Sequence, residues 1–176
     1  MTLPDQYKWL TEEPVPPILV AALKYFGLKE APGGEDNPVI LEWAKGFGIT
    51  WYTHDSIAWC SLAMAKWASI ANYKPPVYTK VLAAVSWADW EEEVPVGQEQ
   101  TGDVAVFHRP GGHHVCLIVG KDSAAYHGYG GNTRDAVGIA RMAKERLLTI
   151  RRPRGVPATY GIKLYNANGE LSQNEA

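Results

Sequence analysis

The first part of the chain has a helical pattern of apolar and polar positions. Apolar residues recur every three or four positions between residues 18 and 26, which predicts a helix, and Gly27 is a suitable residue to end it. Asn37 and Pro38 are a typical N-cap and first helical residue, so a second helix is predicted over Val39–Phe47. We therefore expect the N-terminal part to consist of short helices.

A third helix is predicted over Cys60–Ala71, where nearly every residue is apolar and several are small, as in a helix buried on most sides. The pattern then changes to short β-prone runs separated by glycine-containing turns, at residues 103–107, 114–119 and 124–129. Helices followed by antiparallel strands predict an α+β domain, with the N-terminal helices packed on a small antiparallel sheet.

The chain divides into three segments in this interpretation. Residues 1–17 are a proline-rich arm, residues 18–155 form the domain, and residues 156–176 form a C-terminal hairpin and tail. The hairpin is predicted because Ile162–Leu171 resembles a strand that enters an Asn-Gly turn. The last five residues are expected to be disordered. A chain of 176 residues is long enough for one well-buried core, and we expect a monomer.

Composition and charge exclude several classes of partner. The net charge is -2 and the pI is about 6.2, and the basic residues are scattered except at Arg151–Arg154, so nucleic acid is not expected as a partner. No apolar run approaches the roughly 18 residues of a membrane span, and the first residues lack the features of a secretory signal. We expect synthesis in the cytoplasm and no membrane insertion. No disulfide, metal or cofactor is expected either.

Cys60 is the first candidate for chemistry because it begins the third predicted helix. The N-terminus of a helix carries partial positive charge and unpaired N–H groups, and both favour a thiolate over a thiol. The alternative is that Cys60 is a small buried core residue, as free cysteines often are.

His114 is a candidate general base because it begins an apolar strand after Gly111 and Gly112. From that position an imidazole can reach a helix N-terminus, although a polar residue at a strand end is the alternative. Strand alternation places His113 on the opposite face and Cys116 on the same face as His114. We choose His114 because it is continuous with the apolar strand.

A third group is needed to orient the imidazole, and the next strand offers two candidates, Asn132 and His127. The two are an odd number of positions apart, so in a regular strand they face opposite sides and only one can serve. Asn132 follows Gly130 and Gly131, and it could instead be a turn residue.

At this point the ordered motifs resemble a known superfamily, the CHAP and NlpC-type papain-like cysteine peptidases, and most of all a subgroup common in bacteriophages and prophages. The resemblance runs from about Ile18 to Arg152 and rests on four segments in order: Asp55–Ser61, Gly102–Phe107, Gly112–Val115 and Gly130–Asn132. It implies a papain-like fold, with Cys60 as nucleophile, His114 as base and Asn132 as the orienting residue. Relatives commonly have glycine where this chain has Cys116, and NlpC-type relatives often have a third histidine that would correspond to His127.

The resemblance also implies a function, which is hydrolysis of peptidoglycan. The expected partner is the peptide stem, and the expected activity is that of an endolysin-like endopeptidase or N-acetylmuramoyl-L-alanine amidase that reaches the cell wall after holin-type release or secretion. Alternatives are a catalytically inactive phage tail or wall-binding module and a secreted antibacterial amidase effector. Trp59 and Tyr52 are predicted to line the substrate groove, and Asp55 is predicted to cap the Cys60 helix.

Overall fold

Strands from the second half of the chain form one antiparallel sheet, and helices from the first half pack on it. The computed structural model describes residues 2–77, 80–173 and 175. The helices are α1 (Trp9–Glu12), α2 (Pro17–Leu23), α3 (Pro38–Gly46) and α4 (Cys60–Ile70). Short 3-10 turns cover Asp5–Tyr7, Ala84–Asp89 and Lys144–Arg146. The strands are β1 (Glu92–Glu93), β2 (Val104–Arg109), β3 (Gly112–Lys121), β4 (Ala125–Gly130), β5 (Gly138–Ala143) and β6 (Leu147–Arg152), in the order β1-β6-β2-β3-β4-β5.

The predicted α+β class is confirmed. The capping and helix-end residues that predicted the helices have the expected conformations and contacts. The Asn37 side chain accepts a hydrogen bond of 2.9 Å from the backbone N–H of Val39, as an N-cap does, and Pro38 is the first residue of α3. Gly27 follows α2 with a φ of 82°, a left-handed conformation that glycine adopts without strain. These signals act within a few residues, so their effect does not depend on how the rest of the chain folds.

Alternation along β2 and β3 divides the core between the two faces of the sheet. One face, here the helix face, carries Val104, Val106, Val115, Leu117 and Val119, which cluster with α2, α3 and α4. The other, here the back face, carries Ala105, Phe107, Cys116 and Ile118, which cluster with Met142 of β5 and Ile150 of β6. Both faces are therefore buried, and α4 packs on β3 and β4 across the helix face.

The sheet is larger than the sequence pattern predicted. β1, β5 and β6 were not anticipated, because β1 has two exposed residues and β5 and β6 lack a clear alternation of buried and exposed positions. Such strands form because a neighbouring strand pairs with them. β5, for example, pairs with β4 from Ala125↔Ala143 to Gly130↔Gly138.

The predicted C-terminal hairpin does not form in the described residues of segment 156–176. That segment makes a single bridge, from Leu164 to Lys121 at the end of β3, and no strand of its own. Tyr165 holds it instead: its hydroxyl accepts a hydrogen bond of 2.8 Å from Trp9 Nε1 and donates one of 3.2 Å to the carbonyl of Gln6. The Tyr165 side chain, together with backbone hydrogen bonds between Gly161 and Thr101 and from residues 163 and 165 to Lys121, replaces the ladder that the Asn-Gly turn suggested.

A buried ion pair fixes the turn that leads into β2. Both carboxylate oxygens of Asp103 accept hydrogen bonds of 2.7 Å from Arg152, and Oδ2 also accepts one of 2.9 Å from the Gln100 N–H. We expect Asp103→Ala to lower the free energy of unfolding by about 3 kcal/mol, since it leaves the Arg152 guanidinium unpaired in a largely buried site. Urea unfolding at pH 7 measures this. Arg154→Ala, which breaks the exposed Arg154–Glu92 pair, is the matched control and should change stability far less; equal losses in both variants would contradict the argument.

Candidate active site

Cys60 is the first residue of α4, and its sulfur lies against β3. Burial raises the pKa of the Cys60 thiol above its ordinary value. The backbone N–H of Val115, the charge of Arg109 and the backbone N–H groups of Ser61 and of Cys60 itself act in the opposite direction, because each stabilises the thiolate. The sequence placed Cys60 at a helix N-terminus, and the structure adds that the sulfur meets β3 at the residue directly after His114.

His114 lies on the back face of β3 and is 2% exposed. It pairs across the sheet with Phe107, whereas His113 pairs with His108, with the two rings 5.0 Å apart, so the two histidines face opposite sides as the alternation predicts. Burial lowers the pKa of His114 to about 4, and the nearby Glu175 carboxylate opposes that shift. In this structure the buried environment therefore favours a neutral thiol and a neutral imidazole.

Gly130 and Gly131 connect the surroundings of His114 with those of Cys60. A Cβ atom on Gly130 would lie 2.9 Å from His114 Nε2, and one on Gly131 would lie 2.5 Å from the Cβ of Ala63 in the first turn of α4. Both distances are too short for a real side chain, so glycine at the two positions allows the chain to pass between the imidazole and the helix.

Asn132 follows these glycines and is 3% exposed. Its φ of 54° lies in the left-handed region, which asparagine tolerates better than most residues. Its Oδ1 atom is buried and has no hydrogen-bond partner among the described residues. A buried acceptor without a partner is rare and calls for a functional explanation. The structure thus brings the Cys60 sulfur to the residue after His114 and places Asn132 directly after the two glycines. Cys60 belongs to the helix-face cluster, whereas His114 lies on the back face, and the catalytic roles of the three residues stay predictions.

His127 lies elsewhere, in a buried polar network. Its Nδ1 atom is 2.7 Å from the Tyr7 hydroxyl, and its Nε2 atom is 3.0 Å from Asp122 Oδ2, which also accepts a hydrogen bond of 2.7 Å from Arg141. His127 pairs with Gly120, six residues beyond His114 on β3, which corresponds to about 20 Å along the strand. Both ring nitrogens are already engaged, so the structure does not bring His127 to the Cys60 site.

Asp55 does not cap the Cys60 helix, and that prediction is wrong. Its Oδ2 atom accepts hydrogen bonds from the backbone N–H groups of Ala31, at 2.8 Å, and Asn37, at 2.7 Å. The N-cap of α4 is Trp59, which makes no side-chain cap. A carboxylate five positions before a helix is not at the capping position, and here it fixes the loop before α3 instead.

Trp59 does not line an open groove, which corrects a second prediction, whereas Tyr52 contributes to the wall of a surface pocket together with Leu41 and Ile49. Trp59 is fully buried and donates a hydrogen bond of 2.8 Å from Nε1 to Glu30. Tyr52 is 3% exposed and donates one of 2.6 Å to the carbonyl of Ile57. Both rings belong to the helix-face core, the usual place for aromatic residues in a domain of this size.

Ser172 and Glu175 lie against the back face near His114, a contact that no sequence pattern indicated. Ser172 and Glu175 are both buried, although the last five residues were expected to be disordered; Asn174 and Ala176 of that prediction lie outside the described residues. The Ser172 N–H donates a hydrogen bond of 2.8 Å to the carbonyl of Arg141 on β5. A single glutamate in a polar tail carries no pattern that would reveal such a contact.

Other features of the described residues set the chemical background. Cys60 and Cys116 are both free and buried. The described part of the chain contains no cluster of three or more His, Cys, Asp or Glu side chains that could hold a metal ion. None of its described helices has both the length and the apolar character needed to cross a membrane.

Comparisons with known proteins find structural similarity without a sequence match. No protein-family model matches the sequence, and no curated protein matches it. Among solved structures, the chain is similar to a protein from Staphylococcus aureus described as similar to lipoprotein, of the NLP/P60 family. The TM-score is 0.49 and the sequence identity is 17%; the match covers 88% of this chain and 44% of the other.

The low pKa of His114 predicts a pH dependence of stability. Since the imidazole titrates near 6.5 when unfolded and at about 4 when folded, the unfolded chain binds the extra proton first as the pH falls. The contribution of the neutral, buried imidazole to the free energy of unfolding is fully present above about pH 6.5. It decreases by about 3 kcal/mol as the pH falls from 6.5 to 4. Urea unfolding at a series of pH values measures it. His114→Gln should show a shallower dependence, whereas His54→Gln, which removes an exposed pair with Asp36, should change the curve far less because exposed ion pairs contribute little to stability; identical curves for wild type and His114→Gln would contradict the prediction.

Proposed function

We propose that this protein is a cysteine hydrolase that cleaves an amide bond in the peptide stem of peptidoglycan. The observation that carries the proposal is the position of Cys60, at the N-terminus of α4, with its sulfur at the Val115 N–H next to His114. Nucleophilic cysteine catalysis requires a thiol beside an imidazole, and a thiol at a helix N-terminus that meets the strand of His114 supports that assignment. Asn132, with its buried and unpartnered Oδ1, supplies the third group.

The proposed mechanism is acyl transfer through a thioester. His114 takes the proton of the Cys60 thiol, and the resulting thiolate attacks the amide carbonyl while the backbone N–H of Cys60 stabilises the oxyanion. The protonated His114 gives its proton to the leaving amine, which breaks the C–N bond. His114 then takes a proton from water, and the resulting attack on the thioester releases the carboxylic acid and restores the thiol. Asn132 accepts a hydrogen bond from the imidazole and fixes its orientation.

The choice of peptidoglycan as substrate rests on the ordered motifs that resemble CHAP and NlpC-type papain-like peptidases. Endopeptidase and N-acetylmuramoyl-L-alanine amidase activity both fit that resemblance, and so does an endolysin-like role after release from the cytoplasm. The bond that is cut depends on the shape of the cleft, which motifs do not encode.

Digestion of purified Gram-negative sacculi tests the proposal. The wild-type protein should release soluble fragments, and their masses together with the newly formed amino group identify the amide that was cut. The same protein should reduce the turbidity of cells whose outer membrane has been permeabilised. Intact sacculi after incubation with folded protein would reject hydrolysis. Retention of the protein on those sacculi in a pelleting assay would then favour the inactive wall-binding module.

A further inference from the structure

Glu175 places a buried carboxylate beside His114. Its side chain is fully buried, and its two oxygens accept hydrogen bonds from Arg146 Nη1, at 2.9 Å, and Nη2, at 2.8 Å. This bidentate geometry is the one in which arginine recognises a carboxylate most specifically. A carboxylate therefore binds here in a shaped site, and not merely in the field of a nearby charge.

The guanidinium of Arg146 is held by the sheet independently of Glu175. Its Nε atom donates a hydrogen bond of 2.7 Å to the carbonyl of His108 at the end of β2. The side chain is 18% exposed, so it is oriented and largely removed from water. Because the sheet orients Arg146, its Nη1 and Nη2 groups would keep their position if the Glu175 carboxylate moved away.

The same carboxylate acts electrostatically on the proposed catalytic residues. The charge of Glu175 raises the pKa of His114 against the larger effect of burial, and it also raises that of Cys116. Glu175 thus lies within electrostatic reach of the imidazole, on the face of β3 where a substrate has to approach His114.

The segment that carries Glu175 has little regular structure. Between Arg152 and Glu175 the described residues form no helix or strand, and residues 166–170 are exposed. Residues 160–165 are hydrogen-bonded to Gln100, Thr101 and Lys121. Beyond Tyr165 and besides the ion pair, the Gly169 carbonyl and the Ser172 N–H bond to Arg141, and the Ser172 carbonyl accepts a hydrogen bond of 2.7 Å from Arg146. A segment with so little regular structure opens more readily than the strands that it covers.

We propose that Arg146 is a carboxylate-binding subsite on the face of the sheet that carries His114, and that Glu175 fills this subsite as an internal ligand until a substrate carboxylate replaces it. The assignment of the substrate rests on the proposed function, because the peptide stem of peptidoglycan carries free carboxylates near its amide bonds. Exchange of one carboxylate for another keeps the Arg146 ion pair, so displacement does not leave a buried charge without a partner.

The first test measures how accessible the Cys116 thiol on the back face is, without any cell-wall substrate. In a Cys60→Ser background, where Cys116 is the remaining thiol, iodoacetamide alkylation is followed by intact-protein mass spectrometry. Glu175→Gln weakens the ion pair and should increase the alkylation rate roughly tenfold to a hundredfold. Glu170→Gln, an exposed glutamate five residues earlier, is the matched control and should leave the rate unchanged. Equal rates in the two variants would overturn the proposal.

The second test measures whether the vacated site binds a carboxylate. N-acetylglutamate should slow alkylation of the Glu175→Gln protein in a saturable way, whereas N-acetylglutamine should not. Adding Arg146→Gln should abolish the protection, and Arg146→Lys should retain part of it, since lysine keeps the charge and loses the bidentate geometry. Circular dichroism checks that each variant is folded. Protection that survives Arg146→Gln in a folded protein would reject Arg146 as the binding group.

The two proposals can fail separately. Carboxylate protection without cleavage of sacculi would retain the subsite and reject the hydrolase. Cleavage of sacculi at the same rate by wild type and Glu175→Gln, without carboxylate protection, would retain the hydrolase and reject the subsite.

Discussion

Cys60→Ser is expected to abolish the release of fragments from sacculi, with a loss on the order of 10⁴-fold or more. The serine hydroxyl has nearly the same size and the same neighbours, but at neutral pH it ionises far less than a thiol. The backbone N–H groups of Val115 and Ser61 that favour the thiolate cannot compensate for that difference. Fragment release followed by liquid chromatography and mass spectrometry measures the loss, and thermal unfolding should show a protein of nearly wild-type stability.

Cys116→Ser is the matched control because it removes the other free thiol. Cys116 lies on the back face, where its side chain packs against Gly128 and beside Met142. A hydroxyl in that apolar cluster should lower stability by about 1–3 kcal/mol and leave cleavage by the folded protein largely intact. Loss of cleavage in Cys116→Ser with retention in Cys60→Ser would overturn the assignment of the nucleophile.

The parts of the fold that the sequence predicts well are those set by local interactions. The Asn37 cap, Gly27 after α2 and the apolar run that begins at Cys60 each act within one or two helical turns, so their effect can be read without knowing the partners. β2, β3 and β4 were found for a similar reason, since β2 and β3 contain continuous apolar runs and β4 is a short β-prone run between turns. The α+β class follows from the order of these elements.

The parts that were missed depend on pairing across long distances in the chain. β5 and β6 have mixed patterns, and each becomes a strand because a central strand lies next to it. Glu175 is a stronger case, since its burial depends on Arg146, which lies 29 residues earlier. Cys60 and His114 were chosen from their settings in predicted elements, but nothing local indicated that both would be buried.

The last expected result concerns the group that orients His114. Asn132→Gly should lower kcat by about 10²-fold or more, since a misplaced imidazole slows every proton transfer. Glycine tolerates the φ of 54°, so this variant removes the amide without backbone strain, which Asn132→Ala would add. Asn132→Asp keeps an acceptor at the same place and should recover part of the rate. Steady-state cleavage of a purified stem-peptide fragment, with unfolding measured in parallel, checks these values.

His127→Ala is expected to show the opposite behaviour. It interrupts the chain of contacts from Tyr7 through His127 to Asp122 and leaves buried polar groups without a partner, which should lower the free energy of unfolding by about 3 kcal/mol. The folded fraction should keep a kcat close to that of the wild type, because His127 lies far along β3 from His114. A large loss of kcat in folded His127→Ala, together with a wild-type rate in Asn132→Gly, would transfer the orienting role from Asn132 to His127. Since stability and kcat are measured on the same variants, a folding defect cannot be mistaken for a catalytic one.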